Sequence, residues 1–146
     1  MAKIKHIALS TQDPEKTAQF YIDVFGLKQI GRIESSTVSG CYLTDGDLNL
    51  AILKFKNDQV AGVERGKEWS GIHHFGFQVD SLEDVTERLA SVGAPRRDDI
   101  NAALELAYRD HKRVGNVEVK YTAPDGVTVD VSETGWVGTA SFRPHA

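Results

Sequence analysis

Ser70–Leu89 reads SGIHHFGFQVDSLEDVTERL, and Lys3–Val24 reads KIKHIALSTQDPEKTAQFYIDV. Each stretch begins with a histidine in a short alternating strand, passes through a polar turn and enters a helix. Superposing His6 on His74 lays Ala8 on Gly76, Leu9 on Phe77 and the helix-capping Asp13 on Ser81. Phe20, Tyr21 and Val24 recur at helical spacing in the first copy, as Leu82, Val85, Leu89 and Val92 do in the second. Gly26 and Gly93 close the two helices and coincide after a slip of one residue.

Three strands are predicted to follow the first helix, over 27–33, 38–44 and 48–54, with the turn TDGD at 44–47 joining the last two. Strands are likewise expected at about 94–97, 115–122 and 127–132 in the second half. An apolar-periodic segment near 100–109 reads as a short helix or insertion. The predicted fold class is α+β, with two tandem strand–helix–strand–strand–strand modules forming a curled mixed sheet around a cleft. Module 1 covers about 1–55, a polar, loop-like linker about 56–70 and module 2 about 71–133. A C-terminal tail completes a single domain of 146 residues. The aromatic stripe Phe20, Tyr21 and Phe25 is expected in the core.

The formal net charge is −4 and no basic face is evident, so nucleic acid is an unsuitable partner. Cys41 is the lone cysteine, which excludes an intrachain disulfide and fits a reducing cytoplasm. The start, MAKIKHIALSTQD, lacks the apolar run of a signal peptide, and no stretch approaches the roughly 20 apolar residues of a membrane span. A cytoplasmic protein with a small-molecule partner and no membrane partner is the expectation.

Strand parity selects the chemistry. Ile7, Leu9, Phe75 and Phe77 should face the helices, which leaves His6, Ala8, His74 and Gly76 in the cleft. In the last strand Val127, Val129 and Val131 take the helix side, so Thr128, Asp130 and Ser132 face the cleft, and Asp130 is preferred over Glu133 as a ligand. The matching strand of the first half offers Ala51 at the place equivalent to Asp130. Two imidazoles and one carboxylate result: His6, His74 and Asp130. That set suits an octahedral divalent ion with up to three open positions, and its N/O donors favour Fe(II), Mn(II), Co(II), Ni(II) or Zn(II) over Ca(II). His73 has the opposite parity and is expected to pack or to be partly exposed. His145 lies in the tail, and Arg96 and Arg97 read as solvated charge.

KHIAL with DPEKTAQFYIDVFGL, then HHFGFQVDSLEDVTERLASVGA, then APDGVTVDVSETGW, resembles the vicinal oxygen chelate superfamily of glyoxalase I, bleomycin-resistance proteins, methylmalonyl-CoA epimerase and extradiol dioxygenases. The resemblance implies paired βαβββ modules, a homodimer and a divalent metal held by His6, His74 and Asp130, which lies six residues after Pro124. Glyoxalase- and epimerase-type members carry Glu or Gln where Ala51 stands. Extradiol dioxygenases use only two histidines and a carboxylate, so the resemblance points first to an Fe(II) dioxygenase, then to a glyoxalase- or epimerase-type lyase or isomerase. A bleomycin-resistance-like binding protein is the reading from another class. Extradiol enzymes also place a tyrosine four residues before the motif proline; Tyr121 lies three before Pro124. Tyr121 and His111, with Asp130, are the candidate acid–base groups.

Overall fold

The computed structural model of the chain describes residues 1–108 and 118–144, without side-chain detail for 105–108. His111 and His145 therefore lie outside the described residues. Strand β1 (Lys3–Ser10) leads into helix α1 (Pro14–Phe25). The Asp13 carboxylate accepts the Lys16 amide at 3.1 Å and Pro14 fills the first helical position, so the helix starts where its orphan amides are satisfied. It ends at Gly26, whose φ of 70° lies in the left-handed region that favours glycine. Strands β2 (Lys28–Glu34), β3 (Val38–Thr44) and β4 (Asn49–Phe55) follow. The Asp45 carboxylate closes the β3–β4 link by accepting the amides of Asp47 and Leu48, each at 2.8 Å.

The second half repeats the opening with β5 (Gly71–Gln78) and α3 (Leu82–Ser91), whose cap Ser81 accepts the Asp84 amide at 3.1 Å. Helix α4 (Asp98–Tyr108) and strands β6 (Glu118–Thr122) and β7 (Thr128–Ser132) follow, with a 3-10 turn (Pro124–Gly126) joining the two strands. The strand expected at 94–97 shrinks to one bridge between Arg96 and Tyr121. Pro95 has no amide to give a ladder, and α4 begins at Asp98. The 56–70 segment is not all loop either. Asn57 accepts the Val60 amide at 2.9 Å and starts the one-turn helix α2 (Asp58–Ala61), which buries Val60 and Ala61.

The seven strands form one sheet in the order β2-β3-β4-β1-β5-β7-β6. β1 runs parallel to β4, and β5 runs parallel to β7; the remaining pairs, including the central β1–β5 pair that joins the halves, are antiparallel. On one face Leu9, Cys41, Leu43 and Ile52 pack beneath Ala18 and Ile22 of α1, and Phe75, Phe77, Val129 and Val131 pack beneath Leu82, Val85 and Leu89 of α3. On the other face Ala8, Ala51, Leu53 and Phe55 are covered by Val60 and Ala61 of α2 and by Ala103 and Leu104 of α4. The aromatic stripe corrects an expectation. Tyr21 packs inward, but Phe20 is 53% and Phe25 66% exposed. The sheet under α1 is filled by smaller aliphatic groups, so the two phenyl rings pack against Tyr21 on the outer surface instead.

Candidate metal centre

The register of the central strands brings the two halves' histidines together. In the β1–β5 pair His6 lies opposite Gly76, and Ala8 lies opposite His74. Each imidazole therefore faces a small residue across the ladder, and the two histidines are diagonal neighbours, within mutual reach. β7 then places Asp130 beside Gly76 from the other flank. The side chains converge: His6 Nε2 lies 3.2 Å from His74 Nε2, and Asp130 Oδ2 lies 3.2 Å from His74 Nε2 and 3.9 Å from His6 Nε2. One ligand atom from each residue falls within 4.8 Å of the others, and all three residues are buried.

Hydrogen bonds on the far side of each ring fix its tautomer. Asn49 Nδ2 donates to the Val137 carbonyl at 2.9 Å, so its Oδ1 is the atom that accepts from His6 Nδ1–H at 2.8 Å. His73 Nε2 donates to the Ala61 carbonyl at 2.6 Å. Neutral His73 then has only a lone pair at Nδ1, which accepts from His74 Nδ1–H at 2.7 Å. Both Nε2 atoms thus turn lone pairs toward each other and toward a carboxylate oxygen. Two imidazole lone pairs facing each other in a buried place are unfavourable without a proton or a cation between them. The donor set, its tautomers and its outer hydrogen bonds all fit a divalent ion held by two imidazoles and a carboxylate.

His73 was expected to pack or to be partly exposed; it is 4% exposed and bonded to His74. The cause is a shift in register: Leu9 pairs with Ile72 while Ala8 pairs with His74, which leaves His73 as the extra residue of a bulge. Such a bulge re-aims a side chain that strict alternation would send away. Phe55 packs on the His73 ring at 4.6 Å.

Among the described residues, Lys120, Glu118 and Trp136 also surround the centre. Lys120, opposite Asp130 in the β6–β7 ladder, places Nζ 2.7 and 2.8 Å from the two carboxylate oxygens. Glu118 hydrogen-bonds Asp130 and accepts the Trp136 indole N–H at 3.1 Å. The indole lies flat on His6, with ring centres 4.8 Å apart. Gly76 is required beneath it, because a Cβ there would fall 2.6 Å from the indole. Tyr121 is not brought to the centre. Its ring packs in the cluster beneath α3 and its hydroxyl bonds Thr86 at 3.3 Å, as the alternation of β6 demands. Arg97 is held by Glu64 at 2.7 Å and by Asp99 at 3.0 Å instead of being freely solvated.

Burial, against the pull of Glu118 and Asp130, lowers the pKa of His6, and burial with the nearby Lys120 charge holds His74 well below its ordinary value. Burial pushes Asp130 up, but the Lys120 charge and the bond from Glu118 outweigh it and leave the carboxyl below its usual range. Glu118 is raised by burial and by the Asp130 charge. His73 falls from 6.5 to about 4, chiefly through burial. Between those two values the unfolded chain binds the extra proton, so stability falls as pH falls. His73 alone should cost the metal-free chain roughly 1.4 kcal/mol per pH unit in that window. Urea unfolding of the metal-free protein at pH 7, 6 and 5 measures it; a flat profile contradicts a histidine kept neutral.

The comparisons with known proteins agree with this construction. The Glyoxalase/Bleomycin resistance protein/Dioxygenase superfamily matches residues 3–131. The chain belongs to this superfamily. A "Probable trivalent organoarsenical cleaving enzyme" of Bacillus subtilis (strain 168) is 31% identical over 111 residues, which are 74% of this chain and 68% of that protein. Among solved structures, a Streptomyces coelicolor methylmalonyl-CoA epimerase variant bound to 2-nitronate-propionyl-CoA matches with a TM-score of 0.65 and 19% identity, over 89% of this chain and 95% of its own. A hypothetical protein from Bacillus halodurans C-125 matches with a TM-score of 0.65 and 17% identity, over 90% of this chain and 93% of its own. These structures share the superfamily fold with this chain. Among the described residues no helix is long and apolar enough to cross a membrane.

Strand parity located His6, His74 and Asp130, and Asn49, two residues before Ala51 in β4, shares that parity. Lys120 and Glu118 carried the same signal, since EVKYT alternates and sets both on the Asp130 side. Trp136 lies beyond the last strand and returns through the fold of the tail, which no local pattern reports.

Proposed function

We propose that this chain is a metal-dependent enzyme of the superfamily, that His6, His74 and Asp130 hold a divalent ion, and that the substrate presents two adjacent oxygens to it. The observation that carries this reading is the pair of imidazole lone pairs turned inward on one carboxylate. A bound divalent cation would supply Lewis acidity toward the adjacent oxygens and, as Fe(II), access to dioxygen chemistry. The chain's own part is to orient the donors. Asn49 sets the His6 ring, His73 sets the His74 ring, and Trp136 covers His6 against water.

Ring-cleaving dioxygenation is the favoured reaction. Ala51 lies fully buried in the apolar cluster on the cleft face, at the position where isomerase-type members carry a fourth ligand. A set of three protein donors leaves room for a bidentate substrate and for dioxygen together. Both oxygen atoms enter the ring-opened product, so no external reductant is consumed. Glu118 and Lys120 take over the proton-handling role first assigned to Tyr121. His111 keeps its candidacy from sequence. Cleavage of a carbon–arsenic bond, suggested by the Bacillus relative, ranks lower. Trivalent arsenic is a soft centre that prefers thiolates, and the lone cysteine, Cys41, sits buried under α1 on the opposite face of the sheet.

A second reading has its own support. Lys120 already neutralises Asp130, as it would in a binding protein that needs no metal. Oxygen uptake separates the readings. The anaerobically Fe(II)-loaded protein should consume one O₂ per catechol lost when a catechol panel is supplied. Absence of uptake, with isomerisation of a hemithioacetal by the Ni(II)- or Co(II)-loaded protein, would instead assign a glyoxalase-type reaction. Failure to load any metal would leave the binding protein.

A further inference from the structure

We propose that the cavity between α1 and the edge strand β2 is a second ligand site, built for a small zwitterion with an apolar side chain, of the class of a free apolar amino acid or a dipeptide. It lies on the opposite face of the sheet from His6, His74 and Asp130, and it does not rest on the metal reading. Its volume is about 720 Å³, within the range of ligand pockets. The cavity follows from what the sheet turns outward beside the helix. Helix α1 lies over β3 and β4. In the ladders Arg32 stands opposite Cys41, and Ser39 stands opposite both Glu34 and Lys54. Residues directly opposite share a face, and Cys41 belongs to the cluster beneath α1. Arg32, Glu34, Ser39 and Lys54 therefore stand beside the helix where an apolar cover would let it pack down. The outermost strand of the second half, β6, turns Val119 and Tyr121 into the cluster beneath α3 instead.

The two walls carry opposite charges. Arg32 and Lys54 rise from the sheet, and Asp13 and Glu15 line the helix side. Glu34 is already held by Lys56. Among the described residues Arg32, Lys54, Asp13 and Glu15 form no ion pair, so the cavity keeps opposed charges too far apart to meet directly. The Ser39 hydroxyl between them makes no hydrogen bond among the described residues. Ala18, Ile22 and Cys41 supply apolar surface beneath. An anion alone would meet Asp13 and Glu15, and a cation alone would meet Arg32 and Lys54. A molecule with both charges gives each wall its complement, and an apolar side chain covers the floor. Exposed charges contribute little each, so a dissociation constant of about 0.1–1 mM is the expectation.

The test is a calorimetric titration of the full chain with L-leucine and with L-leucyl-L-leucine, in EDTA so that neither probe binds through a metal. At least one should bind, and the comparison decides between the amino acid and the dipeptide. The N-acetyl form of the bound probe lacks the ammonium, and its C-terminal amide lacks the carboxylate. Each should bind at least tenfold more weakly. Arg32→Gln and Glu15→Gln should each weaken the probe at least threefold. Both side chains are exposed, so the variants should fold, and an unchanged unfolding midpoint checks this. Failure of both probes to bind at about 10 mM overturns the proposal. Undiminished binding of either blocked form overturns it too, because one of the two charges is then not recognised. Unchanged affinity in either variant places the probe elsewhere and also overturns it.

Discussion

His74→Ala should bind Fe(II) or Co(II) more than about 100-fold more weakly than the wild-type protein. Loss of an outer hydrogen-bond partner of a ligating histidine alone weakens a site by roughly 10- to 100-fold, and the ligand itself contributes more. Among the described residues no other histidine takes the place of His74. Ala8 lies across the ladder from it, and His73 has already committed its Nδ1 to His74 and its Nε2 to the Ala61 carbonyl. The alanine variant would leave His6 and Asp130 with an enlarged, wetter hole between them. His73→Gln provides the graded comparison, with a loss inside the 10- to 100-fold range, because it disturbs the orientation of His74 and keeps the ligand. Isothermal titration of the folded variants against Co(II) measures both. Undiminished affinity in His74→Ala would show that the cation is held elsewhere.

Asp130→Ala should reduce the stability of the metal-free chain by about 3–5 kcal/mol, the usual cost of removing one member of a buried ion pair. Asp130 is fully buried and Lys120 is 5% exposed, so water cannot take over the ammonium without opening the sheet between β6 and β7. The carboxylate also anchors the bond to Glu118, which in turn holds Trp136 on His6. The double variant Asp130→Ala/Lys120→Met should regain most of the loss, since an apolar pair of similar volume is often neutral. Denaturant unfolding of the two single variants and the double variant closes the cycle. A loss below about 1 kcal/mol in Asp130→Ala would place this pair among solvent-screened ones and contradict the burial described here.

The repeat in the sequence carried most of the architecture, for physical reasons. Asp13 and Ser81 are caps whose side chains do bind the expected amides, and Gly26 does adopt the left-handed turn that stops α1. Alternation in β1, β5 and β7 sorted Leu9, Phe75 and Val129 from His6, His74 and Asp130, because one face of the sheet needs bulk for helix packing and the other needs space. The same rule misplaced His73, because a bulge adds one residue to a strand and a pattern of period two has no symbol for that. Tyr121 was drawn toward the site by family spacing against its parity, and the sheet followed parity. The strand expected at 94–97 contains Pro95, which cannot donate to a ladder, and only the bridge from Arg96 to Tyr121 forms. Lys120, Glu118 and Trp136 gain their roles from pairing with Asp130 and His6 across the fold, and such pairing is visible only once the strands are in register.

Metal analysis of the wild-type protein bears most directly on the whole account. After anaerobic incubation with Fe(II) and removal of loosely held ions, elemental analysis should find about one iron per chain. Less than a tenth of an ion per chain, with Mn(II), Co(II), Ni(II) and Zn(II) retained no better, would mean that the inward lone pairs of His6 and His74 are satisfied in some other way and that the centre binds no metal.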